Sequence, residues 1–281
     1  VHLLVLLLGL LLTACGDGDT GPAGAPGQPY PTPVAAEALS ARFTAAGITE
    51  DGQVSVRFEV ENQDGYPYPH LSASQVRFAL ARLNAPGALG AGTASSWQSY
   101  VNRRESAPTD PALGPGSVSQ IQATTEANGT LSNHADGAYT YVFATNVRSV
   151  TTPTAVAYVA DDTHRVALQI SGGGAPAANA HFDWQPSTGA SSNILTRNIV
   201  ATATCNACHG ELAVHGGGRK EIAYCTTCHN PGSTDANSGH SVDMATMVHR
   251  IHRGADLPSV VGGGSYTLWG YGNQAHDYSA V

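Results

Sequence analysis

Four of the five cysteines in this 281-residue chain lie between positions 205 and 228, and positions 16 to 204 hold none. Cysteines spread along a chain can staple it with disulfides; a cluster this tight cannot. The residues before the cluster must therefore fold around an ordinary apolar core, and the cluster itself must serve a local purpose.

The cluster reads Cys205-Asn206-Ala207-Cys208-His209 and Cys225-Thr226-Thr227-Cys228-His229, two copies of C-x-x-C-H. Two thiols separated by two residues reach the two vinyl groups on one edge of a porphyrin and bond to them as thioethers. The His that follows then lies under the iron and supplies its proximal nitrogen. The pattern predicts two covalently attached c-type haems, held through Cys205, Cys208, Cys225 and Cys228, with His209 and His229 as proximal ligands. The same four thiols satisfy the spacing of a structural zinc site, and in an oxidising compartment they can form two disulfides. Cysteine spacing alone does not separate these readings. A His directly after both pairs has a role under haem and none in a zinc ribbon or a disulfide, so haem is favoured.

Further imidazoles follow: His215, His240, His249, His252 and His276. With so many, two histidines per iron is the expected ligation, and an iron filled in that way transfers electrons without binding a substrate. Residues 243–252 read as a short helix on which His249 and His252, three apart, share a face and can serve two neighbouring haems. His215 precedes Gly216-Gly217-Gly218, where bare backbone can approach a porphyrin closely. Met244 and Met247, the only methionines, are expected to pack against haem and not to ligate it. His240, beside Asn237-Ser238-Gly239, is the weakest ligand candidate.

From about residue 36 to 184 the pattern is strands and turns. Val54, Val56, Phe58 and Val60 alternate with Ser55, Arg57, Glu59 and Glu61, giving one apolar and one wet face. Val76, Phe78 and Leu80 repeat this, as do Tyr139, Tyr141 and Phe143. Residues 154–160 and 165–170 read as two more strands joined at Asp161-Asp162. Asp51-Gly52, Asp64-Gly65, Asn128-Gly129 and Asp136-Gly137 mark turns. Residues 84–116, richer in Gly, Pro and Ala, read as loops anchored by Trp97 and Tyr100. Short strands at this spacing predict an antiparallel sandwich or split barrel. His70, His134, His164 and His181 lack ligand spacing and read as surface or satisfied histidines. Gly172-Gly173-Gly174, with no helix signature or Lys after it, is not a phosphate loop.

The chain opens with an apolar run from Leu3 to Leu12, broken only by Gly9. The run is too short to span a bilayer but has the length of a signal-peptide core. It ends in Leu12-Thr13-Ala14-Cys15-Gly16, which resembles a bacterial lipobox, so Cys15 is expected to carry acyl chains that anchor the protein. The competing reading is an ordinary signal peptide with a chance cysteine. No Lys or Arg precedes the run, so the expected start lies upstream of Val1, or Val1 is read from a non-standard start codon. Residues 16–34, rich in Gly and Pro, read as a flexible tether. A formal net charge of −8 with no Lys/Arg run gives no reason to expect a nucleic-acid partner. Only 12% of residues are charged, so the wet surface must come largely from Ser, Thr, Asn and Gln, as suits an exported β-rich chain.

The chain resembles the OmcA/MtrC family of decahaem outer-membrane cytochromes over nearly all its length, with the lipobox, the tether and the strand-rich half fitting and the C-terminal part carrying the specific motifs. The first motif carries the likeness together with Gly210-Glu211-Leu212-Ala213-Val214-His215-Gly216-Gly217-Gly218-Arg219, and the second with Asn230-Pro231-Gly232. His249-Arg250-Ile251-His252 and Gly270-Tyr271-Gly272-Asn273-Gln274-Ala275-His276-Asp277 continue it. The resemblance implies a lipoprotein at the bacterial outer surface, with β domains flanking haem domains. Electrons would enter from a periplasmic donor through a porin–cytochrome complex and leave to extracellular Fe(III), Mn(IV) or flavins. It also implies His215, His249, His252 and His276 as distal ligands. The family carries ten haems, whereas this chain has two motifs, so a truncated, N-terminal piece of a longer protein is expected, with His276 serving a haem attached elsewhere. The expected organisation is a signal peptide with lipobox over 1–15, a tether over 16–34, a mainly β domain over 35–190, and an irregular, helix-poor, incomplete multihaem c domain over 195–281. An electron carrier is the leading reading, with terminal metal reductase activity left open. The rivals are a multihaem reductase with one open haem site and a zinc-stabilised surface lipoprotein whose β domain binds a partner.

Overall fold

The alternating segments form long antiparallel strands in the computed structural model, which describes residues 36–106, 119–270 and 273–281. Cys15, the apolar run and the tether lie outside the described residues. The strands are β1 (Leu39–Ile48), β2 (Gln53–Asn62), β3 (Val76–Asn84), β4 (Ser96–Ser99), β5 (Asn102–Ser106), β6 (Ser119–Ala123), β7 (Thr130–Asn133), β8 (Ala138–Asn146), β9 (His164–Gly172) and β10 (Ala175–Trp184). Two four-stranded sheets result, ordered β1-β2-β8-β7 and β10-β9-β3-β4, with β5 and β6 as a separate ribbon. No ladder joins β1 to β10 among the described residues, so the architecture is a sandwich and not a closed barrel.

The inner faces are those the alternation marked. Val54, Val56, Phe58, Tyr139, Tyr141 and Phe143 of one sheet meet Val76, Phe78, Leu80, Val166, Leu168 and Ile170 of the other, all buried. Phe78 stacks on Tyr141 with ring centroids 4.0 Å apart and meets Phe58 edge-on at 5.8 Å. Each such side chain contributes about 1.5–3 kcal/mol by leaving water.

Two sequence expectations need correction. Residues 154–160 are not a strand: they form a loop in which Val156 is buried and its N–H bonds the Val150 carbonyl. Residues 84–116 are not all loop, since β4 and β5 fall within them. Trp97 and Tyr100 are buried anchors there, as expected. Gly172-Gly173-Gly174 makes the tight β9–β10 hairpin, with φ positive at all three. His164 is the satisfied core histidine: its Nδ1–H donates to the Asp162 carbonyl at 2.9 Å, leaving Nε2 to accept from the Tyr100 hydroxyl at 2.8 Å.

After the sandwich come short elements: α1 (Thr202–His209), α2 (Ile222–Cys225), α3 (Met244–Arg253), α4 (Pro258–Val261), and a ribbon of β11 (Thr267–Trp269) and β12 (Ala275–Asp277). This region covers the outer face of β3 and β9. Tyr224 packs on Ala79 and Ala167. Arg165 points outward from β9 yet is 1% exposed, because it is enclosed between the sheet and the C-terminal region. Its guanidinium makes a fork to Asp183 at 2.6 and 2.7 Å, lies over the Trp97 ring, and donates to the Ala223 carbonyl at 3.1 Å. Among the described residues no helix is long and apolar enough to cross a membrane.

Candidate functional site

Each C-x-x-C-H motif is wound into helical turns, which puts its two thiols on one side. The first motif forms the second half of α1, and the Gly210 N–H closes the helix onto the Asn206 carbonyl. Asn206 also accepts from the Leu212 N–H at 2.8 Å, steering the chain out of the motif. The second motif begins at the end of α2, and the His229 N–H bonds the Cys225 carbonyl at 2.9 Å. Beyond it, Asp243 accepts from the Thr246 N–H and caps α3, the short helix expected over these residues.

The fold brings together imidazoles distant in sequence. His209, at the end of α1, faces His252 on α3 with ring centroids 5.9 Å apart. His229 faces His215 at the same 5.9 Å. Two imidazoles bonded to one metal from opposite sides, each at about 2 Å, hold their ring centres about 6 Å apart. Each pair thus joins one motif histidine to one histidine from outside the motifs.

The hydrogen bonds set the matching tautomer. His229 Nδ1 lies 2.8 Å from the Val242 carbonyl, and His252 Nδ1 lies 2.8 Å from the Val248 carbonyl. A carbonyl only accepts, so Nδ1 carries the proton in both rings and Nε2 keeps a free lone pair for a metal. Burial, Arg219 and His229 push the His215 imidazole down to about 4, and burial lowers His229. The shift of both rings is towards the neutral form, the state in which imidazole ligates.

His215 reaches His229 from the tip of a tight turn. Val214 and Arg219 pair through both backbone bonds, and His215 itself takes φ +52. The glycines after it do not all play the part expected. Gly218 abuts the sandwich: a Cβ there would lie 2.5 Å from the Gln169 side-chain nitrogen. The Gly218 carbonyl also accepts from Asn179 at 3.0 Å. Close approach is required here by β9.

The four thiols are free. Burial pushes the Cys225 thiol up to about 11 and raises Cys228 as well. A surround that disfavours the thiolate suits an uncharged thioether at these two positions. Among the described residues no three His, Cys, Asp or Glu side chains gather to hold a metal ion, so the four cysteines do not form the tetrahedral set their spacing allows. The residues present therefore fit haem c.

The remaining candidates lie elsewhere. His249 is exposed on α3, and His276 is exposed on β12 against Gly270; neither has an imidazole opposite it among the described residues. His240 packs on the Tyr266 ring at 4.9 Å. Met244 and Met247 pack with Ile222, Cys225 and Cys205. The carbonyls of Val242 and Val248 and the guanidiniums of Arg165 and Arg219 carry no signal in the sequence. Only the fold shows them at the motifs.

Residues 40–191, more than half of the chain, match the family described as the OmcA-like N-terminal domain. The chain belongs to the OmcA/MtrC family. Residues 197–278 match a second description from the same family, outer membrane cytochrome MtrC/MtrF-like, domains II/IV. The multihaem cytochrome MtrC of Shewanella baltica is 33% identical over 242 residues, which make up 83% of this chain and 33% of that protein. The crystal structure of the outer membrane decahaem cytochrome OmcA superposes with a TM-score of 0.75 at 34% identity, over 88% of this chain and 38% of OmcA. That of MtrC from Shewanella baltica gives 0.59 at 31%, over 76% and 32%. The chain spans about a third of the length of these OmcA/MtrC relatives.

Proposed function

We propose that this chain is an electron-transferring part of a multihaem c-type cytochrome at the bacterial outer surface. Two haems are attached through Cys205 and Cys208 and through Cys225 and Cys228. When bound, haem c supplies a one-electron Fe(III)/Fe(II) couple. His209 and His252 hold one iron, and His229 and His215 hold the other. The observation that carries this reading is the two facing imidazole pairs, each 5.9 Å between ring centres and each containing one motif histidine. With two imidazoles on each iron, neither site would admit a substrate, so the residues support electron passage and not a reductase with an open haem.

The family extends the proposal. The donor is a porin–cytochrome complex, and the acceptors are extracellular metal oxides or flavins. Cys15 carries the lipid that holds the protein on the outer membrane. Domain limits at 35–190 and 195–281 separate the sandwich from the haem-bearing part. His249 and His276 are left for haems other than the two attached here.

The test is to export the chain from a host with cytochrome-maturation machinery and record its intact mass and reduced spectrum. The expected product is red, heavier than the polypeptide and its lipid by two haems, and spectrally unchanged by carbon monoxide. A colourless product with zinc in place of haem overturns the reading. Carbon monoxide binding at one site restores the open-haem alternative.

A further inference from the structure

The two C-x-x-C-H motifs sit in unlike electrostatic surroundings. No residue of α1 is buried, and Cys208 is exposed. In the second motif Cys225, Thr226 and Thr227 are all buried. Three cations border that second motif, and one of them, Arg103, is paired with Glu105 at 2.9 Å. Arg165 donates to the Ala223 carbonyl and the Thr226 hydroxyl, but Asp183 compensates its charge at 2.6 Å. Arg219 is different. Its Nε–H donates to the neutral Gln169 side chain of β9 at 3.0 Å, and its guanidinium lies 5.4 Å from the centre of the Tyr224 ring. Among the described residues no carboxylate pairs with it. The charged pair that follows the first motif, Lys220 and Glu211 at 2.8 Å, compensates itself.

We propose that Arg219 is a potential-setting residue. An uncompensated guanidinium, held between Gln169 and the Tyr224 ring next to Cys225 and at the base of the His215 turn, makes the haem attached at the second motif the more readily reduced of the two. This deepens the haem reading and rests on it. Reduction adds one electron and removes one positive charge from the site, with no atom or proton transferred. A fixed cation and a dry surround both disfavour the more positive, oxidised form. The same Arg219 closes the turn that carries His215, through its paired backbone bonds with Val214, so its guanidinium is fixed relative to that imidazole as well as to the second motif. The imidazole hydrogen bonds do not offset this bias, because each pair contains one Nδ1–H held by a carbonyl. With haem bound at both motifs, Arg219 would bias an electron towards the buried motif and away from the exposed one.

The full chain, carrying both haems, is titrated with a chemical reductant and mediator dyes while its absorbance is followed. Two one-electron steps are expected. Arg219→Gln lowers the upper step by at least tenfold in equilibrium constant, or 59 mV for one electron, and leaves the lower step in place. Arg219→Lys keeps the upper step, because charge and not shape sets it. Gln169→Glu puts a carboxylate on the same guanidinium and lowers the upper step too, which serves if Arg219→Gln fails to retain both haems. Steps unmoved in Arg219→Gln and Gln169→Glu, or movement of the lower step instead, overturn the proposal while the haem reading stands. A product without haem sinks both.

Discussion

The sandwich and the C-terminal region are built on opposite plans. The sandwich owns its core: a continuous set of aromatic and β-branched side chains from two sheets, closed without any cofactor. The C-terminal region has only small clusters, one around Ile222, Cys225 and Met244 and one around Leu257, Tyr266 and Leu268. Its elements are too short to bury much on their own. It leans on the sandwich through Tyr224 and Arg165, and on the groups its cysteines and histidines are arranged to hold. A region with little core of its own can place four imidazoles and four thiols where a large cofactor requires them. The sandwich supplies the fixed surface on which that arrangement is registered.

The strongest way to break this contrast is Phe78→Ala. Phe78 contacts Tyr141, Phe58 and Phe143 at the centre of the sandwich. The loss should be about 4–5 kcal/mol, measured by denaturant unfolding. It should be the same in the haem-loaded chain and in one with the four motif cysteines replaced by serine. A loss that vanishes when haem is present would show that the sandwich is not independent.

Arg165→Leu sharpens the contrast at the seam. It leaves Asp183 without its cation and removes the bonds to the Ala223 carbonyl and the Thr226 hydroxyl. About 3–4 kcal/mol should be lost, and the loss should be local. Hydrogen exchange should quicken over residues 222–230 while β2 and β8 keep their protection. Uniform loss of protection would mean that the two regions unfold as one.

Acid should act on the sandwich through His164. Burial holds this imidazole down to about 4, against 6.5 for a free histidine. The folded state therefore prefers the neutral ring. That stability is complete above pH 6.5 and disappears as pH falls towards 4, about 3 kcal/mol in all. His164→Gln should flatten the fall over this window in pH-dependent melting. An unchanged profile would place the acid sensitivity elsewhere.

How far the sequence could be read follows the same division. Alternation located β2, β3, β8 and β9, because a sheet packed on one face repeats every two residues. It failed over residues 154–160, where Val156 is buried from a loop, and at β4–β6, which are short and polar. It also missed the second burial of β9. Arg165 and Gln169 are polar side chains on the outer face of that strand, and only the C-terminal region packed over them makes them dry. The motifs declared their proximal histidines by adjacency. His215 and His252 stood among the candidate distal ligands, but which motif each one meets was not legible, because His252 meets His209 only through the packing of α3, and His215 meets His229 only through the turn closed by Val214 and Arg219.

The smallest expected effect tests whether α3 is ordered by its own sequence or by what it holds. Asp243 accepts from the Thr246 N–H at 3.2 Å and from the Thr246 hydroxyl at 3.1 Å, which fixes the first turn. Asp243→Ala should cost about 1 kcal/mol. In the chain without haem, α3 should fray, seen as faster exchange over residues 244–253. With haem bound, His252 should fix the helix from its far end, and the same substitution should change exchange little. Equal fraying in both states would mean that His252 is not tied to the site, and the pairing of His209 with His252 would lose its support.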